Sequence, residues 1–165
     1  MKRTTLIIAA LLMAACAGEP ASKPGQKAPQ MTLAVLPLHN DTGDSSLDAT
    51  GAALADVVSA RLIGLKGFRL IERRRLQEIA SEARLAMTGL TDEGSALQLG
   101  KLAGASALAL GSYSKVGDKA VVSLRVVKSE TGEILGAATE RGSGVSKLEQ
   151  IADRAAKKLA DALAR

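Results

Sequence analysis

The distribution of apolar and polar positions divides the chain into short apolar runs and longer stretches with helical spacing. Thr32 to Leu38 (TLAVLPL) is an apolar run stopped by Pro37, which predicts a central strand. The polar cluster HNDTGDSSLD follows as turn chemistry, with Ser45 and Asp48 in a capping arrangement. The helix predicted next carries Leu47, Gly51, Leu54, Val58, Leu62 and Leu65 on one side, and Gly67 ends it. Phe68 to Ile71 predicts a second strand, turning at Glu72–Arg73 into a helix whose inward stripe is Leu76, Ala80, Ala83 and Met87. Thr88–Gly89–Leu90–Thr91 breaks that helix. Thr91 or Asp92 then caps a shorter one that carries Leu99, Leu102 and Ala103 inward and stops at Gly104. Ala105 to Leu110 is a small-apolar strand of the kind a sheet buries on both faces.

Beyond Ser112 the pattern becomes a meander. Gly117–Asp118 is a two-residue hairpin signal, and Val122, Leu124 and Val126 alternate with Ser123 and Arg125, so one face of that strand is buried. Glu130–Thr131–Gly132 predicts a second turn and Ile134 to Thr139 a last strand. Gly142–Ser143–Gly144 leads into a final helix with Leu148, Ile151, Ala155, Leu159 and Ala162 on one side. Strand–helix–strand units in this order are parallel crossovers, right-handed, with successive helices on opposite faces. The predicted fold is α/β: a five-stranded mixed sheet of order 2-1-3-4-5 with helices on both faces.

The first residues read as an address. Lys2 and Arg3 supply a positive start, and Leu6 to Ala15 is an apolar run too short to span a bilayer as a mature helix. Leu12–Met13–Ala14–Ala15–Cys16 resembles a lipobox, with Met13 where Leu is commonest. An ordinary signal peptide with a chance cysteine is the competing reading. Cys16 is the single cysteine of the chain and sits at the boundary, which favours lipidation there and excludes an intramolecular disulfide. The predicted organisation is a lipoprotein signal peptide over 1–15, an acylated N-terminus and tether over 16–30, and one domain over 31–165. Residues 17–30 hold three of the four prolines, and as a flexible coil they reach about 20 Å. Ala17, rather than Asp, after Cys16 favours the outer membrane under the enteric sorting rule, with the domain facing the periplasm.

Composition narrows the chemistry. With 165 residues, 47% apolar and 24% charged, the chain has room for one domain with a real core. One Phe, one Tyr and no Trp mean that the core is built from Ala, Val, Leu and Ile, and that stacking platforms for single-stranded nucleic acid or sugar are missing. The formal charge of +5 falls to +3 without Lys2 and Arg3, too mild a balance to argue for nucleic acid. One histidine, His39 in a polar loop, and one cysteine committed to lipid supply neither a catalytic triad nor a zinc site. Capping accounts for Asp41, Asp44 and Asp48. Gly142–Ser143–Gly144 and Gly100–Lys101 are fragments of anion-binding loops without the rest of either motif. No catalytic, metal or cofactor residue is expected.

Several strings together resemble the CsgG family, bacterial envelope lipoproteins named for the curli secretion channel. They are Ala34–Val35–Leu36–Pro37 with Asn40 and Thr42–Gly43–Asp44, Ile71–Glu72–Arg73 then Leu76, and the break Thr88–Gly89–Leu90. They continue with Leu99–Gly100–Lys101–Leu102–Ala103–Gly104–Ala105, Leu110–Gly111–Ser112, Leu124–Arg125–Val126–Val127 and Thr131–Gly132–Glu133–Ile134–Leu135. The resemblance covers roughly residues 32–140. It implies a domain of the same general form, no enzymatic activity, membrane attachment through lipid, envelope protein partners and a possible homo-oligomeric ring. The family's channel inserts membrane-spanning hairpins at two places, between the strands flanking Gly117–Asp118 and after the last strand. A membrane strand needs about 9–11 residues, and here a tight turn and Gly142–Ser143–Gly144 stand instead.

Arg73–Arg74–Arg75 is left over. Cations in a first helical turn oppose the helix dipole, and the resemblance accounts for Glu72–Arg73 as a structural pair but not for Arg74 and Arg75. They make either a solvated helix face or a contact for an acidic partner or anionic lipid. The function expected is a non-catalytic outer-membrane lipoprotein acting as a periplasmic component of a surface export or envelope-assembly system, curli-like or exopolysaccharide. The alternatives are a regulator of a peptidoglycan synthase, as the similar-looking LpoB lipoproteins are, or a flagellum-associated envelope lipoprotein.

Overall fold

A computed structural model describes residues 30–85 and 93–165, with the backbone alone for Glu93. The signal peptide, Cys16, the tether up to residue 29, Met87, the Thr88–Thr91 break and the Thr91 or Asp92 cap lie outside the described residues.

The sheet contains β1 (Met31–Val35), β2 (His39–Asp41), β3 (Phe68–Leu70), β4 (Ala107–Val116), β5 (Lys119–Lys128) and β6 (Ile134–Ser143). Its order is β3-β1-β4-β5-β6, with β2 paired to β4 off that path. This is the predicted 2-1-3-4-5 order with one strand added. β1 pairs in parallel with β3 and β4, whereas β5 and β6 follow in antiparallel pairing, so the sheet is mixed as expected. The added strand is the tract expected to be only a turn. Its residues His39, Asn40 and Asp41 pair with Ser112, Tyr113 and Ser114, because the chain resumes an extended path after Pro37.

Period-2 burial sorts the strand side chains into two cores. Leu33, Val35, Ala107, Ala109, Val122, Leu124 and Val126 face α1 (Thr50–Leu62) and α4 (Leu148–Leu163). Ala34, Leu36, Leu108, Leu110 and Val127 face α2 (Arg73–Glu82) and α3 (Glu93–Leu102). β4 is therefore buried on both faces, as its run of small apolar residues predicts. Each fully buried Leu or Val contributes about 1.5–3 kcal/mol. In α4, Ala152, Ala155 and Ala156 are fully buried, and their small side chains let α1 approach closely enough for Arg61 to grip Asp153 with two nitrogens. That grip raises the Arg61 pKa and lowers that of Asp153.

Several local expectations are corrected. Leu102 is 53% exposed, because α3 ends there and its last turn runs past the sheet; Ala103 takes the inward place. Ala162 is exposed for the same reason at the end of α4, where Leu163 is the half-buried residue. Ser45 does not act as the cap. Asp44 does, its carboxylate accepting the Ser46 N–H at 3.0 Å ahead of a 3-10 turn over Ser45–Leu47. α2 closes not on a glycine but on Arg84, whose φ of 55° is left-handed, with the Leu85 N–H donating to the Ala80 carbonyl at 2.8 Å.

Candidate functional site

The polar tract after β1 is built around Asn40. Its amide nitrogen donates to the Asp44 carbonyl at 2.8 Å and to the Asp48 carboxylate at 2.6 Å. Its amide oxygen accepts from the Thr42 backbone N–H at 3.0 Å and the Thr42 hydroxyl at 2.6 Å. Bonds from the Ser46 hydroxyl and N–H hold the Asp44 pKa below the usual carboxylate range. From beneath, the fully buried Tyr113 donates its hydroxyl to the Leu47 carbonyl at 2.6 Å. Burial pushes the Tyr113 pKa up, and the Asp48 carboxylate adds to that. The tract is thus a braced turn whose polar groups satisfy one another. His39, expected in a loop, is half-buried in β2 with Nε2 3.2 Å from the Asp41 carboxylate.

Beside this turn, on the part of the sheet that α2 and α3 leave uncovered, lies a shallow cleft of about 370 Å³. Leu36, Leu110 and Leu124 line it together with His39, Ser123 and Arg125. The glycines read as fragments of anion loops serve packing. A Cβ on Gly100 would come within 2.6 Å of Leu108, and one on Gly142 within 2.7 Å of Ile151. The Gly144 N–H already donates to the Asp118 carbonyl at 3.0 Å.

The three arginines part company in space. Arg73 turns back onto α1, where its guanidinium donates to the Ala52 carbonyl at 2.9 Å and the Asp56 carboxylate at 2.6 Å. It fastens the start of α2 to α1. Arg74 and Arg75 are 88% and 66% exposed and share one carboxylate, Glu78, at 3.5 and 3.7 Å. Beside Arg73, at the edge of β3 that no described strand pairs, a groove of about 520 Å³ is lined by Gln30, Ile63, Phe68, Arg69, Leu70 and Ile71. Ile63 there is 69% exposed. At the other edge of the sheet, Ile134 on β6 is 60% exposed. Sequence reasoning did not mark either edge, since an isoleucine at the end of a helix or strand carries no sign of what lies beside it.

The class these features define is a mixed α/β scaffold whose distinctive surfaces are two sheet edges and a basic helix start. The chain belongs to the CsgG family, whose model, described as the curli production assembly/transport component CsgG, matches residues 19–120. Membership supports a non-catalytic envelope lipoprotein or assembly component. The fold is shared with the LpoB C-terminal domain from Salmonella enterica, at 17% identity and a TM-score of 0.57 over 70% of this chain and 84% of that one. It is shared with lipoprotein GNA1162 from Neisseria meningitidis, at 16% identity and 0.53 over 70% and 83%. A dodecamer of a PelC variant from Paraburkholderia phytofirmans is similar at 15% identity and 0.51 over 86% and 95%. No curated protein matches the chain. Among the described residues, no helix is long and apolar enough to cross a membrane.

Proposed function

We propose that this chain is an outer-membrane lipoprotein anchored through Cys16. Its periplasmic domain assembles into a closed ring that serves a surface export or envelope-assembly system, curli-like or exopolysaccharide. The observation that supports a domain without membrane-spanning hairpins is the pair of connections at one end of the sheet. β4 and β5 are joined by Gly117–Asp118 alone, and β6 runs through Gly144 straight into a 3-10 turn over Val145–Lys147 and then α4. The Gly144 N–H bonded to the Asp118 carbonyl at 3.0 Å ties the two connections to each other. Neither has the roughly 9–11 residues that a membrane-spanning strand requires.

The test is light scattering on the purified, acylated protein in detergent, with planar-bilayer recordings alongside. The expected result is a discrete multimer and no stepwise conductance. Stepwise conductance would overturn the reading of a ring without a pore. A monomer at every concentration would replace the ring with an LpoB-like regulator bound one to one to its enzyme. Crosslinking in the native envelope then identifies the partner.

A further inference from the structure

We propose that the groove along β3 receives the β6 edge of a second copy, and that this edge-to-edge contact is the repeating interface of the ring. The inference rests on the ring reading above and deepens it by naming the two surfaces. Four observations carry it. The first is direction. β3, β1 and β4 run parallel, and two antiparallel steps through β5 bring β6 back to the same sense. A second copy rotated about an axis along the strands therefore presents its β6 parallel to β3. Because the two edges lie at opposite ends of the sheet, the contact is head-to-tail and repeats from copy to copy, as a closed ring requires.

The second is the backbone of β3. The Met31 N–H donates to the Gly67 carbonyl and the Ile71 N–H to the Leu33 carbonyl. The alternation of a parallel ladder then turns the N–H and C=O of Leu70 away from β1, along the groove. An edge left unpaired among the described residues is a template for another strand. The third is apolar surface. Ile63, Phe68, Leu70 and Ile71 line the groove, and Ile134 projects from the opposite edge. The fourth is charge. Arg69, Arg73, Asp56 and Glu72 line the groove, and Arg73 already holds Asp56, whereas Glu130 and Glu133 stand in the turn that leads into β6. Glu133 already binds Lys128 of its own copy, which leaves Glu130 as the carboxylate that meets Arg69. The competing occupant is the chain's own segment 17–29, which precedes Gln30, a residue of the groove's lining.

The experiment uses the full acylated chain in detergent, carrying Ile63→Cys and Ile134→Cys together, treated with a short bis-maleimide. A ladder of covalent multimers is expected, with no species beyond a dimer from either single variant. Arg69→Glu should lower assembly at least tenfold, and adding Glu130→Arg should restore it. A discrete multimer by light scattering without a ladder would overturn the interface and leave the ring standing. A monomer without a ladder would overturn both. Ile63→Cys shielded from a small maleimide until residues 17–29 are deleted would assign the groove to the chain's own tail and overturn the proposal.

Discussion

Gly51→Ala is the substitution for which helix propensity and packing give opposite signs. Gly51 lies in the first turn of α1, where alanine ordinarily stabilises a helix by about 1 kcal/mol. Here a Cβ would stand 2.0 Å from the Leu38 carbonyl oxygen and 3.1 Å from its carbon. Non-bonded heavy atoms rest at about 3.5 Å, so the helix and the strand junction must separate by more than an ångström. The atom in the way is backbone and cannot rotate aside. Separation also stretches the bond from the Leu38 N–H to the Gly51 carbonyl, 3.0 Å long. Overpacking costs about 1–3 kcal/mol and a lost hydrogen bond about 1 kcal/mol. After the propensity gain, the net expected loss is about 2 kcal/mol. At about 3 °C per kcal/mol for a domain of this size, that lowers Tm by about 6 °C. The exposed Ala53 supplies the control, because Ala53→Gly should cost only the propensity term, about 1 kcal/mol. Urea and thermal unfolding of both variants measure this. A Gly51→Ala protein that melts at or above the parent would refute the close approach.

Three other outcomes are expected. Leu124→Asp puts a charge at a residue 4% exposed and should destabilise by several kcal/mol, whereas Arg125→Asp, facing solvent, should be tolerated; equal melting temperatures would mean that the strand phase is wrong. The Lys158 ammonium, with Arg154 beside it, holds the Glu140 pKa below its ordinary value. Its contribution is therefore complete above the unfolded-state pKa and is lost as pH falls through the lower folded one. The stability gap between the parent and Glu140→Gln should accordingly shrink on acidification, and a gap that widens would contradict the pairing. Cys16→Ser should leave an uncleaved precursor or a soluble periplasmic product, and should abolish incorporation of an alkyne fatty acid; an unlabelled parent protein in the soluble fraction would refute lipid attachment.

The strand order and both cores were legible in the sequence because they rest on long repeats. Val122, Leu124 and Val126 on β5, and Leu148, Ile151, Ala155 and Leu159 on α4, carry enough turns of period for the buried face to be unambiguous. Legibility fails where an element ends or where one side stays open. Leu102 and Ala162 keep the helical spacing, but the sheet stops beneath them. β4 runs on to Val116, beyond the apolar run that ended at Leu110, and its polar residues Ser112, Ser114 and Lys115 are accommodated because no described helix covers that part of one face. β2 is hidden because its side chains carry the turn while its backbone joins the sheet. The arginine triplet shows a limit of another kind. Rotation of about 100° per residue sends Arg73 onto Asp56 and leaves Arg74 and Arg75 in solvent, and three identical letters carry no sign of that difference.

The residues that carry the family resemblance are mostly committed inside the scaffold. Asn40, Thr42 and Asp44 close the braced turn, Gly100 admits Leu108, and Arg73 joins α2 to α1. Lys66, Arg69, Arg74, Arg75 and Glu130 lie outside the quoted strings and face solvent or a groove. A shared scaffold with separately placed edge charges is how one fold can serve machines that differ, since affinity for a partner lives in the site and not in the fold. The two sets of residues should therefore separate in experiment. Substitution of Asn40 leaves four hydrogen-bonding contacts unmade and should lower Tm, taking assembly down with the fold. Substitution of Arg69 or Glu130 should leave Tm within about 2 °C of the parent, the range of an ordinary surface change, while altering assembly.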